Sequence, residues 1–250
     1  MPERPAAANK PAPLKLLPCA AASGAYNLAL DEALLEDDGS WLRFYRWEPA
    51  CLSLGYFQKH RDFADLPSGL DRVRRPTGGG AILHDKELTL SLALPDHALP
   101  EQVQKSYELL NKAMIAGIQA TGIRIAEEGD GARAKNASPE LLRWCFFRPT
   151  GLDLVDADGA KLFGSAQRRR GKRVLHHGSL MLGRSSLTPF TAALKAKPPI
   201  PELEARLSEA IAAALGLPLE PAGPLPSAIL LRAEELRDNK YASSAWTKLR

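Results

Sequence analysis

Cys145 and Lys161 are the two side chains of this 250-residue chain best suited to covalent chemistry. The thiol stands in Arg143-Trp144-Cys145-Phe146-Phe147-Arg148-Pro149, and the amine in Ala160-Lys161-Leu162-Phe163-Gly164-Ser165-Ala166-Gln167. A thiolate attacks acyl carbonyls and an amine beside it can hold or move a proton, so the two in one pocket would suit acyl transfer. Upstream, Arg74-Arg75-Pro76-Thr77-Gly78-Gly79-Gly80-Ala81 sets three glycines before an apolar stretch ending at His84-Asp85. Without a Cβ, their N–H groups can closely approach a phosphate, a pantetheine group or an acyl carbonyl. The run matches neither the dinucleotide fingerprint nor a Walker loop, and a plain tight turn would use the same residues.

Each position has a second reading. On a regular strand Lys161, Phe163, Ser165 and Gln167 share one face, and Leu162, Gly164 and Ala166 the other. Beside Phe163 the amine would be desolvated and its pKa lowered, fitting it to act as a general base or to hold a carbonyl. Alternatively it is a solvated edge lysine that discourages aggregation. Gly164 in mid-strand marks close approach of a ligand or of another backbone. Cys145 is either inert and buried among aromatics or a thiolate stabilised by Arg143 and Arg148. Cys51 reads as strand core, and Cys19 has less to recommend it. In His84-Asp85-Lys86-Glu87 and His176-His177, adjacent strand residues point to opposite faces, so no metal site is expected. One of His176 and His177 is free to orient a substrate. The cluster Arg168 to Arg173 is either a solvated hairpin tip or a docking point for an acidic carrier protein.

The elements that must position these groups follow from periodicity. Residues 2–13, rich in Pro and Ala, read as a loose tail, with a flexible segment through residue 20 and a single domain over 21–250. Ser23 caps a helix to about Glu36 that places Tyr26, Leu30, Ala33 and Leu34 on one face. Strands are expected at 41–47 and 51–54, and a hairpin from 81–84 and 88–94 turning at Asp85-Lys86-Glu87. A helix over 106–120 carries Tyr107, Leu110, Met114 and Ile118, and 127–139 reads as a mobile surface loop. A meander of 151–155, 160–167 and 174–182 follows. The remainder is helical, with Leu203, Leu207, Ile211 and Leu215 as one stripe and 228–236 as another. Helices interleaved irregularly with antiparallel strands make an α+β domain with a mixed, largely antiparallel central sheet flanked by helices.

Composition bounds the answer more loosely. Hydrophobic residues are 45% and charged residues 25%, ordinary for a globular chain. A net charge of +4 is too small for a nucleic-acid signature and also serves plain solubility. Three scattered cysteines form neither a disulfide framework nor a CxxC metal site, which favours a reducing compartment. No apolar run approaches the roughly 18 residues of a membrane span, and the start lacks the apolar centre of a secretion signal. The expected location is the cytoplasm.

The ordered segments Arg75-Pro76-Thr77-Gly78-Gly79-Gly80-Ala81, His84-Asp85-Lys86-Glu87-Leu88-Thr89, Lys161 to Gln167 and His177-Gly178-Ser179 together resemble the biotin/lipoate A/B protein ligase family. Tyr26 to Glu32 is similar to that family's first helix, and Lys240 to Trp246 to its closing motif. The likeness covers about residues 20 to 250. It implies the class II aminoacyl-tRNA synthetase/biotin synthetase-like fold. His84-Asp85 continues as Lys86-Glu87 instead of the Gly-Asn typical of ATP-using lipoate ligases, and no accessory domain is expected after Arg250. With Cys145-Phe146 ahead of Lys161, the chain looks most like the cysteine-dependent octanoyltransferases and related amidotransferases. It departs from them in having Gly80 where they often carry arginine.

The resemblance implies catalytic Cys145 and Lys161. It implies substrate binding by Arg75, Gly78, Gly79, Gly80, His84, Gly164, Ser165, Gln167, His177 and Gly178, with no metal and no cofactor. Cys145 would take an octanoyl group from octanoyl-acyl carrier protein. It would pass the group to a lysine of lipoyl domains, those of 2-oxoacid dehydrogenases and of the glycine cleavage carrier protein, with the enzyme a monomer. Lys161 would orient the carbonyl and assist proton movement. Backbone N–H groups at Gly78 to Gly80 or near Gly164 would stabilise the oxyanion by about 3–4 kcal/mol per donor. At about 0.8 kcal/mol per buried CH₂, an eight-carbon chain would be selected coarsely by length. The alternatives are an ATP-dependent lipoate–protein ligase that needs no thiol, an amidotransferase between lipoyl proteins, and a non-catalytic acyl- or lipoyl-domain-binding protein. Simple hairpin register pairs Lys161 near Leu154, so a bend at Phe146 to Pro149 must return the thiol to the amine.

Overall fold

Residues 11–125, 138–147, 149–156 and 158–250 are described by a computed structural model. Among the described residues, ten strands form two sheets. The large sheet begins with β1 (Leu14–Ala22) and β2 (Ser40–Trp47), joined by α1 (Gly24–Glu36). The small sheet holds β3 (Cys51–Leu54), β4 (Asp71–Arg74) and β5 (Ile82–His84). The chain then returns to the large sheet with β6 (Glu87–Pro95), followed by α2 (Val103–Gln119) and a short α3 (Pro139–Leu142). Next come β7 (Leu154–Val155), β8 (Lys161–Arg170), β9 (Arg173–Met181), α4 (Ile200–Leu215), β10 (Leu219–Pro221), α5 (Ser227–Leu236) and α6 (Ser244–Thr247). The large-sheet order is β10-β1-β2-β6-β9-β8-β7. Its β10–β1 and β1–β2 pairs are parallel and the rest antiparallel, so the α+β expectation of a mixed, largely antiparallel sheet holds.

Residue alternation along the central strands builds two layers. Leu88, Leu90, Leu92 and Leu94 of β6 pack into the core that holds Leu110, Met114 and Ile118 of α2 and Leu203, Leu207 and Ile211 of α4. The opposite face carries Thr89 and Ser91, registered with Tyr45 and Arg43 of β2 and with Ser179 and His177 of β9. Over that face lies α1, started by the Ser23 hydroxyl, which accepts from Tyr26 N. The helix is buried on nearly all sides, including Asn27, Asp31 and Glu32, because α5 covers its far side. A polar sheet face under a buried helix is where this fold keeps its charges.

Two expectations change. Residues 14–20 are not tail: Leu14 and Leu17 are buried and β1 is an interior strand between β10 and β2. Residues 81–94 are not a hairpin. Ile82–His84 pairs with β3 in the small sheet, whereas β6 pairs with β2 and β9 in the large one. The turn at Asp85 and Lys86 therefore carries the chain between sheets, and both strands are buried along almost their whole length. The loop expected at 127–139 falls almost wholly outside the described residues.

Arg168, Arg170 and Lys172 of the arginine cluster are exposed, but several of its members are tied down. Arg169 donates to Asp96 O and Pro100 O, Arg170 pairs with Glu32 and Glu36, and Arg173 donates to the carbonyls of Leu34 and Gly39. These arginines tie the β8–β9 hairpin to the ends of α1 and β6. Among the described residues, no helix is long and apolar enough to cross a membrane.

Candidate active site

Lys161 Nζ lies 3.4 Å from Cys145 Sγ and 2.8 Å from Asp153 Oδ1. Three chain segments make this contact. Cys145 is held by a short bridge to the glycine run: Ala81 N donates to Arg143 O, and Cys145 N to Ala81 O. Asp153 is fixed by Thr150, whose N–H and hydroxyl both donate to Oδ2. Lys161 opens β8, where an irregularity displaces it. Phe163 pairs with Leu154 but Lys161 with Val155, a register shift against β7. Phe163 and Ser165 crowd the Cα of Gly178, while the Lys161 amine lies over Gly164 on the other face. The period-two expectation is thus corrected, because the bulge returns Lys161 to the face of Gly164.

The charge state of Lys161 is also corrected. Burial acts to lower its pKa, but Cys145 and Asp153 outweigh burial and the value lies above that of an ordinary lysine. The ammonium is thus the favoured form of Lys161 while the thiolate and Asp153 face it. Its three N–H donors reach Asp153 and the sulfur, leaving one for an acyl oxygen. The Phe146 ring lies 5.2 Å from the ammonium and adds a cation–π contact. Arg143, expected to stabilise the thiolate, is instead paired with Asp65 at 2.5 Å and stacked on Phe63. Arg148 lies outside the described residues.

The half-buried Cys145 lines a pocket that holds about 430 Å³ of non-atom space, open solvent included. Leu28, Trp47 and Ile82 give it apolar walls, and Gly164, Ser165 and Gly178 form part of its sheet-side lining. Arg75, Gly78 and Gly79 reach it from the glycine run. The buried Arg75 guanidinium donates to Ser53 O, Gly78 O and Gly80 O and so fixes the turn. Gly79 requires its positive φ of 93°. Among the described residues, the N–H groups of Gly78, Gly79 and Gly80 have no protein acceptor.

His84 and His177 line the pocket too. His84 stacks on Trp47 with centroids 3.8 Å apart and touches Glu87 at 3.4 Å; burial moves its pKa below the usual histidine value. Trp47 Nε1 donates to Thr89 Oγ1, whose hydroxyl donates to the Glu87 carboxylate, which also accepts from Ser179. His177 Nε2 is 2.7 Å from Thr77 Oγ1, and its Nδ1 is 3.5 Å from Asp31 Oδ2. Burial would raise the Asp31 pKa, but Arg43 at 2.9 Å, His177 and the Tyr45 hydroxyl bring it below the carboxylate norm.

Two expected binding residues are elsewhere. Gln167 points to the α2 layer, with its Oε1 3.5 Å from His176 Nδ1, and His176 meets Tyr107 edge-on. Burial lowers the His176 pKa to about 3. Gly80 faces backbone: a Cβ there would be 2.7 Å from Cys145 N and 2.9 Å from Arg143 O, so it seats the thiol segment and leaves no room for arginine. Asp153 was not named from sequence, and Asp31 and Glu87 were named only inside longer motifs, with no role of their own. The signal at Asp153 was an acidic residue beside apolar Leu152 and Leu154. Among the described residues, no group of three His, Cys, Asp or Glu side chains is placed to hold a metal.

Residues 23–211 match the lipoyl protein ligase A/B catalytic domain. Octanoyltransferase LipM of Carboxydothermus hydrogenoformans is 40% identical over 171 residues, covering 64% of this chain and 61% of that protein. Octanoyltransferase LipM of Anoxybacillus flavithermus is 39% identical over 176 residues, 64% and 62% of the two chains. The aligned region is thus about three-fifths of the length of these relatives. In fold, the chain is similar to protein Ta0514 of T. acidophilum with bound lipoic acid, with a TM-score of 0.77, 20% identity and 95% and 100% of the two chains covered. A lipoate-protein ligase A bound with ATP superposes with a TM-score of 0.75 at 21% identity, covering 94% and 98%. With more than half its length in that match, the chain belongs to the lipoyl protein ligase A/B catalytic domain family.

Proposed function

We propose that this protein is an N-octanoyltransferase of lipoate biosynthesis, moving an octanoyl group from octanoyl-acyl carrier protein to a lysine of lipoyl domains through a thioester on Cys145. The observation that carries the reading is the 3.4 Å contact between Cys145 Sγ and Lys161 Nζ at the edge of a pocket with apolar walls. A ligase that activates a free acid has no need of a thiol there. The names of the curated relatives favour the same reading.

In the first step Cys145 thiolate, facing the ammonium, attacks the thioester carbon of the donor. The remaining N–H of Lys161 and the free amides of the glycine turn are the available donors for the oxyanion; one well-placed donor is worth about 3–4 kcal/mol. The carrier thiolate leaves and is protonated in water. In the second step the acceptor amine attacks the octanoyl-enzyme, and the electron pair of the breaking C–S bond returns to sulfur beside Lys161. The donor is already activated, so the scheme calls for no cofactor and no metal. Its natural setting is the cytoplasm, with the protein acting as a monomer and the acceptors being 2-oxoacid dehydrogenase lipoyl domains and the glycine cleavage carrier protein.

Intact-mass measurement after mixing with octanoyl-acyl carrier protein tests the reading. The wild type is expected to gain one octanoyl group, and Cys145→Ser to gain none and to transfer none. A fully active Cys145→Ser protein that consumes ATP with free lipoate would establish the ligase instead. Faster transfer from an octanoylated glycine cleavage carrier than from octanoyl-acyl carrier protein would establish an amidotransferase.

A further inference from the structure

The Cys145 pocket opens over the glycine turn. Leu28, Tyr45 and Ser179 in its lining are buried, whereas Gly79 is exposed and Gly78, Cys145 and Ala166 are half-buried. A reactant must therefore reach the sulfur over the turn and the middle of β8. Two side chains hold that rim from outside. A Cβ on Gly78 would lie 3.7 Å from the Phe57 ring. Arg168, on the same face of β8 as Ala166, donates to Pro76 O.

The ground around the rim is basic. Tyr56 N donates to Thr77 O, and the Tyr56 ring meets Phe57 edge-on. The guanidinium groups of Arg250 and Arg168 lie 5.1 Å and 5.8 Å from the Tyr56 ring. His60 N donates to Arg250 O, which brings Lys59 and Arg61 beside Lys248 and Arg250. These cations are all exposed, and among the described residues none has a carboxylate partner. Of the acids in residues 56–65, Asp65 is taken by Arg143, which leaves Asp62. Phe57 is 72% exposed, so its ring is not spent on the core. Arginines around an exposed aromatic ring have the composition of a binding hot spot.

Reach decides which partner sits here. The donor's acyl group hangs on a long pantetheine arm, so the body of its carrier can stay clear of the rim. The acceptor amine hangs only on the stem of a lysine side chain. The surface that bears this lysine must come down on the rim before the amine can meet an acyl group on Cys145.

We propose that the rim of Phe57, Arg168 and Arg250, with Lys59, Arg61 and Lys248 around it, is the docking surface for the acceptor lipoyl domain and reads carboxylates beside its target lysine. This rests on the transfer reading above and adds to it the recognition of the acceptor. The carboxylates pair with the rim cations and steer the domain into register, and Phe57 is the apolar anchor.

The double variant Lys248→Glu, Arg250→Glu tests this with the half-reactions separated. In single turnovers of the octanoyl-enzyme at low salt, transfer to a lipoyl domain is expected to fall about 10-fold or more and to lose its salt dependence. Transfer to hydroxylamine, and acylation by octanoyl-pantetheine, should stay near wild type. A lipoyl domain with basic residues in place of the acids flanking its lysine should be a poor acceptor for the wild type and a better one for the variant. Chemical-shift titration with the unmodified domain reads docking without chemistry, and the variant should bind about 10-fold more weakly. Lys59→Glu with Arg61→Glu stands in if the first pair does not fold. The inference is overturned if transfer and binding are unimpaired, or if hydroxylamine transfer falls in parallel. A loss confined to acylation by octanoyl-acyl carrier protein would give the surface to the donor and overturn it too. Absence of any acyl-enzyme in the wild type would remove the transfer reading, while the titration would still decide the docking surface.

Discussion

A Cβ on Gly164 would lie 2.1 Å from Lys161 Cε and 2.6 Å from its Nζ, so the missing side chain at 164 is the space the amine occupies. Gly164→Ala is expected to push the ammonium off both Cys145 and Asp153 while the β8–β9 ladder persists. A displacement of about 1 Å can cost 100-fold in rate. Octanoyl-adduct formation followed by mass should slow on that scale with an unchanged circular dichroism spectrum. An unaltered rate would show that the place of Lys161 is immaterial.

Asp153→Asn leaves a buried ammonium without its carboxylate. Breaking such a pair costs about 3–5 kcal/mol, measurable by urea unfolding at pH 7. The Lys161 pKa is raised, so its stabilising contribution is complete below the ordinary lysine value of 10.5 and fades as pH rises through the higher folded value. The gap between wild type and Asp153→Asn should therefore narrow only in strong alkali. A gap that closes between neutral pH and pH 9 would contradict the ion pair.

Asp31 has the opposite sign. Its folded pKa is below the usual 3.8, so the stability it contributes is present above that value and lost as pH falls through the folded one. Asp31→Asn should lower Tm at neutral pH, and the difference from wild type should shrink in melts recorded below pH 3.8. A difference that is flat into acid would mean that the carboxylate is not ionised against Arg43.

Cysteine labelling should be selective. Burial and Glu204 push the Cys19 thiol up to about 12, and burial pushes Cys51 far above the ordinary thiol value. Iodoacetamide at neutral pH is expected to modify Cys145 alone, and more slowly in Lys161→Ala, which lacks the adjacent ammonium. Peptide mass mapping reads both results. Equal labelling of Cys19 would overturn the assignment.

Gly80→Arg puts a long side chain where only a glycine fits. Here it would meet the backbone of Arg143 to Cys145 and disturb the bridge between Ala81 and Trp144. Overpacking of this kind costs about 1–3 kcal/mol. A lower urea midpoint with slowed acylation is expected. An unchanged midpoint would show that the thiol segment can yield.

Local signals were enough for much of the fold. The Ser23 cap, the stripe Leu110, Met114 and Ile118, and the stripe Leu203, Leu207 and Ile211 announce their helices, because one helix face repeats within a few residues. Strands β2, β3, β8 and β9 were legible by the same reasoning. Strand β1 was not, since a Pro- and Ala-rich approach hides the burial of Leu14 and Leu17. Nor was the division of 81–94 between two sheets, which depends on partners far away in sequence.

The sequence by itself determined the inventory of this protein: a thiol, an amine, a glycine turn and the motifs of its family. Tertiary structure alone decided that Lys161 lies over Gly164 and not beside Ser165, that Asp153 pairs with it, that Gln167 faces the α2 layer, and that His177 lies between Asp31 and Thr77. Residue types follow from the code one at a time. Contacts of about 3 Å, the reach of a hydrogen bond, follow only from the path of the whole backbone, where a single bulge reverses the face of a side chain.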